Sequence, residues 1–164
     1  MTNSRDKGGR GEREAVALWR ALGYNTARRG PQFVDGSDNA DVIGVPYWVE
    51  VKRYERVYPS TYAAGFRQGQ KNMTRACEKE YIPDMKDVIV MARGNSGKWM
   101  VCAPVQLMID LGYPLEIVEF KHKYIEARYQ VMIVTWEQFS CLQRRFDGER
   151  ESGTDRAVET KKRG

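Results

Sequence analysis

The stretch "ADVIGVPYWVEVKRY", residues 40–54, decides the fold of this chain. It holds two runs of strand-forming residues, ADVIGV and PYWVEVKRY, joined by a short connection at residues 44–46. Successive side chains of a strand point to opposite faces, so Glu50 and Lys52 share one face while the valines beside them share the other. Pairing of the two runs would bring the chain at Asp41 back toward Glu50. The sequence therefore predicts a sheet with charged groups gathered on one face.

The remaining patterns predict a mixed α/β domain. Apolar residues at helical spacing predict a helix over residues 12–22 and a second over residues 62–80. The other predicted elements are, in chain order, strands at 24–29, 86–94 and 98–104, a short helix at 104–112, strands at 115–120 and 129–135, and a helix at 136–146. The predicted order is α-β-β-β-α-β-β, a mixed central sheet flanked by helices, with a C-terminal β/α extension.

Length and charge bound the organisation of the chain. Its 164 residues are the usual length of a single domain. We expect that domain to cover residues 12–146, between a flexible basic arm at 1–11 and a disordered charged tail at 147–164. The formal net charge is +5 and the pI is about 9.1. This surplus of basic residues favours a polyanionic partner.

The residue types argue against several classes of protein and chemistry. Three widely spaced cysteines without a CxxC pair, and an N-terminus without an apolar signal region, predict a reduced, cytoplasmic protein. No apolar run approaches the roughly 18 residues that cross a bilayer, so no membrane role is expected. The single histidine, His122, argues against a zinc site or a Ser-His-Asp triad. Catalysis must then use carboxylates and lysine.

Three carboxylates and a lysine form a candidate site of that kind. Helical counting places Glu12 on the apolar stripe of the first helix, turned toward the sheet. Crowded carboxylates repel unless a hard cation bridges them, and oxygen ligands favour Mg²⁺, with Mn²⁺ as a substitute. The predicted metal ligands are Glu12, Asp41, Glu50 and the backbone carbonyl of Val51. Lys52 would hold or help deprotonate the attacking water.

Each of these residues also has an ordinary structural use. Glu50 and Lys52 fit a salt-bridge ladder on an exposed sheet face. Asp41 fits a turn or cap residue, and Glu12 fits a helix N-terminal charge that complements the helix dipole. The occurrence of all four in order, each on the required element, favours the metal site.

The segments "GEREAVALWRALGY", "ARR", "ADVIG" and "WVEVK" carry a family resemblance. Together they resemble the PD-(D/E)xK nuclease superfamily and are similar to the archaeal-type Holliday junction resolvases, over about residues 8–104. The resemblance implies a restriction-endonuclease-like core, with Asp41 and Glu50 as metal ligands, Lys52 as the catalytic lysine and Glu12 as the helix carboxylate. It also implies a magnesium-dependent homodimer that nicks opposed strands of a four-way DNA junction.

The predicted function is that of a metal-dependent, structure-selective DNA endonuclease acting in DNA recombination or repair. Two alternatives stay open. One is another PD-(D/E)xK nuclease, restriction-like, for repair or for phage DNA processing. The other is a non-catalytic DNA-binding module that has kept the fold, although such a module has no reason to retain every charged member of the site.

Basic and aromatic residues around the site are candidate DNA contacts. The basic ones are Arg28, Arg29, Arg53, Arg67, Lys71 and Arg75. They would contact phosphates, or they solvate strand ends and a helix face. Tyr54, Tyr58 and Tyr62 would stack on splayed bases, or they pack in the core.

Overall fold

One mixed sheet of six strands organises the described part of the chain. In this computed structural model that part comprises residues 4–31, 39–79, 81–113 and 131–161, with side chains described over residues 7–148 of those ranges. The elements are α1 (Ser4–Ala21), β1 (Arg28–Arg29), β2 (Val42–Ile43), β3 (Trp48–Arg53), α2 (Pro59–Glu78), β4 (Val88–Arg93), β5 (Met100–Pro104), α3 (Val105–Asp110), β6 (Val131–Thr135) and α4 (Trp136–Lys161). The predicted α/β class, with helices flanking a mixed sheet, is confirmed.

The strands follow the chain in the order β1 to β6, and sequence neighbours pair throughout. All pairs are antiparallel except β3 with β4, between which α2 returns the chain to the same edge. Val42 of β2 pairs with Val49 of β3. Gly44 makes the connection at a φ of +82°, a conformation that glycine adopts readily. The predicted pairing of residues 40–45 with residues 46–54 is confirmed.

The sheet separates two hydrophobic cores. On the first face, which we call the apolar face, residues of α1, α3 and α4 form one core cluster with Val49, and Trp19 and Phe139 lie fully buried there. On the second, which we call the α2 face, Phe66 packs against Trp48. Strand β3 contributes alternate residues to both cores, which explains why apolar residues occur on both of its faces.

A buried hydrogen-bonded network joins α4 to Tyr24, which follows α1, and to Tyr47, which precedes β3. The Tyr47 hydroxyl donates to the Gln143 side chain, whose Nε2 donates to the Tyr24 hydroxyl at 3.0 Å and to Asp147 Oδ1 at 3.0 Å. Tyr24 in turn donates to Asp147 Oδ2 at 3.0 Å. Asp147, the first residue of the predicted tail, is therefore part of the packed structure.

The helix ends differ from the prediction. α1 begins at Ser4 rather than at residue 12, so residues 4–11 of the predicted arm are helical. α4 continues to Lys161, through a segment predicted to be disordered. Both extensions are polar. Backbone hydrogen bonds can continue a helix through polar sequence, and the spacing of apolar residues does not predict such an extension.

Two predicted features, the strand at 115–120 and His122, lie outside the described residues. Within the described ranges, no helix combines the length and the apolar character needed to span a membrane.

Candidate active site

Strand β3 presents two of its three charged residues, Glu50 and Lys52, to α2. Glu50 is 1% exposed, and its Oε1 accepts a hydrogen bond from Trp48 Nε1 at 3.1 Å. Lys52 Nζ lies 3.4 Å from Glu50 Oε2 and 2.9 Å from Gln68 Oε1 on α2. The common face predicted for Glu50 and Lys52 is confirmed. The salt bridge of the alternative interpretation is present between Glu50 and Lys52, but Glu50 is buried under α2 rather than on an exposed sheet face.

Asp41 lies just before β2, where the backbone is bonded to both neighbouring strands. Its N–H donates to the Val49 carbonyl at 2.9 Å, and its own carbonyl accepts from the Gly30 N–H at 3.0 Å. Its side-chain Oδ2 accepts from the Val51 N–H at 2.7 Å. The carboxylate is thereby held beside the central residues of β3, as the pairing of the two strands predicted.

The surroundings of both carboxylates disfavour negative charge. Burial raises the pKa of Asp41 to about 7, and the neighbouring Glu50 carboxylate adds to the rise. The Val51 N–H and Lys52 lower that pKa, and Glu12 raises it by a smaller amount. Burial also raises the pKa of Glu50, against the opposing effects of Lys52 and Trp48. A cation bound by the two carboxylates would stabilise their ionised forms, because its positive charge compensates the buried negative charge.

Glu12 lies on the buried side of α1, as predicted, and is 8% exposed. Arg29, at the end of β1, places Nη2 at 2.6 Å and Nε at 2.8 Å from Glu12 Oε2. The charge of Glu12 is therefore balanced within the fold, and Arg29 is committed to this pair. The predicted roles of Glu12 as a metal ligand and of Arg29 as a phosphate contact remain predictions.

Two glycines let α2 approach the charged residues of β3. A Cβ atom added at Gly69 would lie 2.6 Å from Val88 Cγ1 and 2.9 Å from Glu50 Cγ. A Cβ atom at Gly65 would lie 2.9 Å from Val90 Cγ1 and 3.3 Å from Lys52 Cε. Any larger residue would push the helix away from the sheet. The close approach places Gln68 within reach of Lys52.

A polar cavity of about 200 Å³ opens beside Asp41. Its lining includes Asn39, Gln68 and Asn72. Asn72 is 5% exposed, and its side-chain amide has no hydrogen-bond partner among the described residues. A buried amide without a partner costs about 1–3 kcal/mol, so its presence calls for a functional explanation.

Sequence reasoning missed Gln68 and Asn72. The predicted polar stripe of the second helix ran through Arg67, Lys71 and Arg75, which the structure leaves exposed. Gln68 and Asn72 lie one position further along and belong to the neighbouring face. The signal that distinguishes this face is the pair Gly65 and Gly69, whose spacing of four marks the side of the helix that comes closest to its neighbour.

The donor set fits magnesium. No group of three or more His, Cys, Asp or Glu side chains is placed to hold an ion within the described ranges. Mg²⁺, however, is commonly held by one or two carboxylates, with waters and substrate phosphates as its remaining ligands. Asp41 and Glu50 interact electrostatically and supply such a pair of hard oxygen donors, of which Asp41 lines the polar cavity. The Val51 carbonyl stays a predicted additional ligand.

The basic residues predicted to contact DNA differ in their availability. The Arg53 side chain is 10% exposed, its Nη1 donates to the Gly94 carbonyl at 3.1 Å, and its Nη2 lies 3.9 Å from Glu14 Oε1. Arg53 is thus engaged within the fold, because it lies on the opposite side of β3 from Lys52. Arg28, like the three basic residues on α2, is exposed.

Comparison with family models, with curated proteins and with solved structures found no match to this chain. Its function must therefore be inferred from the residues of the site and from their geometry.

Proposed function

We propose that this protein is a magnesium-dependent DNA endonuclease that hydrolyses phosphodiester bonds in branched DNA, with the four-way junction as its preferred substrate. The observation that carries the proposal is the position of Asp41, which lines the polar cavity and lies beside the buried Glu50 and its ion-pair partner Lys52 on β3. A pair of buried carboxylates beside a lysine is suited to metal-assisted hydrolysis of a phosphodiester. The order of helix, three strands, helix and two strands supports a restriction-endonuclease-like core of the PD-(D/E)xK type.

The residues of the site have separate roles in this proposal. Asp41 and Glu50 would hold the metal, and bound Mg²⁺ lowers the pKa of water and neutralises charge on the phosphate. Lys52 orients the attacking water and offsets the negative charge of the phosphate. Gln68 accepts a hydrogen bond from Lys52 Nζ and so fixes the position of the ammonium group. As the water oxygen bonds to phosphorus and loses a proton to solvent, the bond from phosphorus to the leaving sugar oxygen breaks and that oxygen takes up a proton from solvent.

Asn72 would complete the phosphate contacts. Its side-chain amide carries two N–H donors, and non-bridging phosphate oxygens are acceptors. Because Asn72 lines the same cavity as Asp41, a phosphate bound there would provide the partner that the buried amide lacks. Asn72 is thus proposed to bind substrate rather than to stabilise the free protein.

Selection of branched DNA would rest on shape and charge. Arg67, Lys71 and Arg75 would contact phosphates beside the site, and binding would weaken steeply with salt because counterions are released. A four-way junction has two equivalent strands to be nicked. A homodimer with two-fold symmetry would present one site to each of them.

A cleavage assay tests the proposal directly. Labelled four-way junction, flap, linear duplex and single strand are each incubated with Mg²⁺ or with EDTA. The parent protein is compared with Asp41→Asn, Lys52→Ala and, as a matched control, Glu78→Gln, a carboxylate exposed on α2. We expect Mg²⁺-dependent cleavage of the junction by the parent and the control, and none by the two site variants.

The other outcomes distinguish the alternatives. Equal cleavage of linear duplex and junction would leave a PD-(D/E)xK nuclease but remove the preference for branched DNA. Cleavage by both site variants at the parent rate would show that the site is wrong. Tight junction binding without any cleavage would indicate a DNA-binding module. Light scattering with and without junction tests the homodimer, and one protomer per junction would exclude paired nicking.

A further inference from the structure

An open groove runs from Lys52 along the N-terminal end of α2. Its volume is about 790 Å³, within the range of about 300–1,000 Å³ found for ligand pockets. Its lining includes Lys52, Tyr54, Arg56, Tyr58 and Arg67. The groove therefore begins at a residue of the proposed active site and leads away from it.

Two tyrosines of this groove expose their rings to solvent. Tyr54 is 50% exposed and Tyr58 is 57% exposed, whereas Tyr62, one turn into α2, is 7% exposed and packs in the core. Tyr54 and Tyr58 are therefore available for stacking on bases, whereas Tyr62 packs in the core. Large aromatic side chains exposed beside a catalytic residue are expected where a ligand covers them, because burial of an aromatic ring is favourable.

The charge of the groove favours nucleic acid. Three basic side chains, Lys52, Arg56 and Arg67, line it together with one acidic side chain, Glu55. The first turn of α2 also lines it, and this turn carries no acidic residue to offset the positive end of the helix dipole. A phosphate backbone with aromatic bases complements both the charge and the exposed rings.

The segment that carries the tyrosines is held in place before any ligand binds. The Tyr54 N–H donates to the Arg93 carbonyl at 3.3 Å, and the Asn95 N–H donates to the Glu55 carbonyl at 3.2 Å. At the start of α2, the Tyr58 N–H donates to Thr61 Oγ1 at 3.2 Å. A pre-ordered segment loses little conformational entropy on binding, which favours affinity.

From these observations we infer that the groove binds unpaired DNA bases next to the scissile phosphate, stacked on Tyr54 and Tyr58. This inference rests on the proposed nuclease function and specifies its substrate as DNA with bases unstacked at a branch point. Stacking on aromatic rings accepts every base, since each has a π face. The groove would then select for the absence of base pairing rather than for a sequence.

The test measures binding without cleavage. In EDTA, fluorescence anisotropy reports the affinity for a duplex with a single-stranded flap, for a four-way junction and for a linear duplex. The variants are Tyr54→Ala with Tyr58→Ala, the corresponding pair of Phe substitutions, and the control Tyr81→Ala. Tyr81 is 60% exposed beyond the opposite end of α2, so it matches the two tyrosines in exposure but not in position.

We expect the Ala pair to weaken binding of flap and junction by about tenfold or more, and to leave the linear duplex almost unchanged. The Phe pair should bind like the parent, because it keeps the rings, and Tyr81→Ala should bind like the parent on every DNA. A fluorescent adenine analogue in the flap should be quenched by the parent and the Phe pair but not by the Ala pair. Melting temperatures confirm that the variants are folded.

Three results would overturn the groove as a base-binding site. They are unchanged affinity of the Ala pair, an equal loss on linear duplex, and a loss in the Phe pair as large as in the Ala pair. A parallel incubation with Mg²⁺ separates this inference from the nuclease proposal. Selective binding of flap and junction without cleavage would contradict the nuclease proposal and support the groove as a base-binding site. Cleavage that is the same in the parent and the Ala pair would support the nuclease proposal and contradict the role of the groove.

Discussion

The apolar face and the α2 face of the sheet are built from alternate residues of the same strands, yet they differ in what they bury. On the apolar face, Trp19 contacts the rings of Tyr24, Trp136 and Phe139 at centroid distances of 5.2–5.9 Å. Its indole N–H also lies 3.2 Å from Met91 Sδ. This face is closed by apolar packing, and its buried polar group Gln143 is hydrogen-bonded to Tyr47, Tyr24 and Asp147.

The α2 face buries Glu50 and Asn72 under a helix that approaches through glycines. Its carboxylates have raised pKa values, and one of its amides has no partner among the described residues. Polar groups buried in this way reduce stability. We infer that the apolar face supplies the stability that offsets the buried polar groups of the α2 face, where the cation and phosphate site is proposed.

The largest effect expected from this comparison is on cleavage. Glu50→Gln should lower Mg²⁺-dependent cleavage at least about a thousandfold, because one of two metal-holding carboxylates is lost. The melting temperature should stay the same or rise, since a buried charge is removed while the Trp48 hydrogen bond to the side-chain oxygen is retained. Cleavage of the four-way junction and calorimetry measure the two quantities. A variant that is inactive only because it has unfolded would contradict the assignment.

The converse substitution on the apolar face should act on folding. Trp19→Ala is expected to lower the free energy of unfolding by about 3–5 kcal/mol, because it leaves a cavity among four rings. Denaturant titration measures the change. At low temperature, the fraction that remains folded should cleave DNA at the parent rate. A specific loss of cleavage in the folded fraction would show that the two faces are not separable in this way.

The approach of α2 can be tested at one glycine. Gly69→Ala should lower the free energy of unfolding by about 1–3 kcal/mol, because its Cβ atom would lie 2.6 Å from Val88 Cγ1. It should also reduce cleavage, since Gln68 would move with the helix. Gly8→Ala in α1, where no atom lies within 4 Å of the added Cβ, is the matched control. The free energy of unfolding of Gly8→Ala should be higher than that of the parent by about 0.5–1 kcal/mol.

The pH dependence of stability should also arise from the α2 face. The pKa of Asp41 is raised from 3.8 to about 7, so its contribution to stability is present below 3.8 and is lost as the pH rises through about 7. Glu50 acts in the same direction, whereas Lys52 opposes both. The melting temperature in EDTA should therefore fall between about pH 5 and pH 8, more in the parent than in Asp41→Asn.

Magnesium should counteract this loss, because it binds the ionised carboxylates of the folded chain. The increase in melting temperature on adding Mg²⁺ should be larger at about pH 8 than at about pH 5, where protons compete for the same oxygens. Asp110→Asn, a substitution of an exposed carboxylate, serves as the control. A parent that melts at the same temperature over this range would show that Asp41 is not perturbed.

The smallest effect on stability is expected at Asn72. Asn72→Leu should leave the free energy of unfolding unchanged or raise it by up to about 1 kcal/mol, because a buried amide without a partner is replaced by an apolar group of similar size. Cleavage should fall about tenfold, since a phosphate contact is lost. The exposed residue Asn25 provides the control Asn25→Leu. Destabilisation by more than about 2 kcal/mol would indicate that Asn72 has a structural partner instead.

Prediction from sequence succeeded where local patterns are sufficient. The alternation in β3 placed Glu50 and Lys52 on one face, and the pairing of β2 with β3 located Asp41 beside them. Prediction failed at the ends of α1 and α4, where polar sequence continues a helix without an apolar stripe. The same alternation places Arg53 on the opposite side of the sheet from Lys52, where its side chain is bonded within the fold, so its contact with DNA stays a prediction.

The sequence by itself determined the order of elements, the face on which each residue of β3 lies, and the identity of the carboxylates and the lysine. These follow from periodicity and from residue chemistry, which act over a few neighbouring positions. Only the tertiary structure decided that Gln68 and Asn72 belong to the site, that Arg29 is paired with Glu12, and that Tyr54 and Tyr58 line a groove. Each of these depends on how closely separate elements approach, and that distance is decided by packing across the whole sheet.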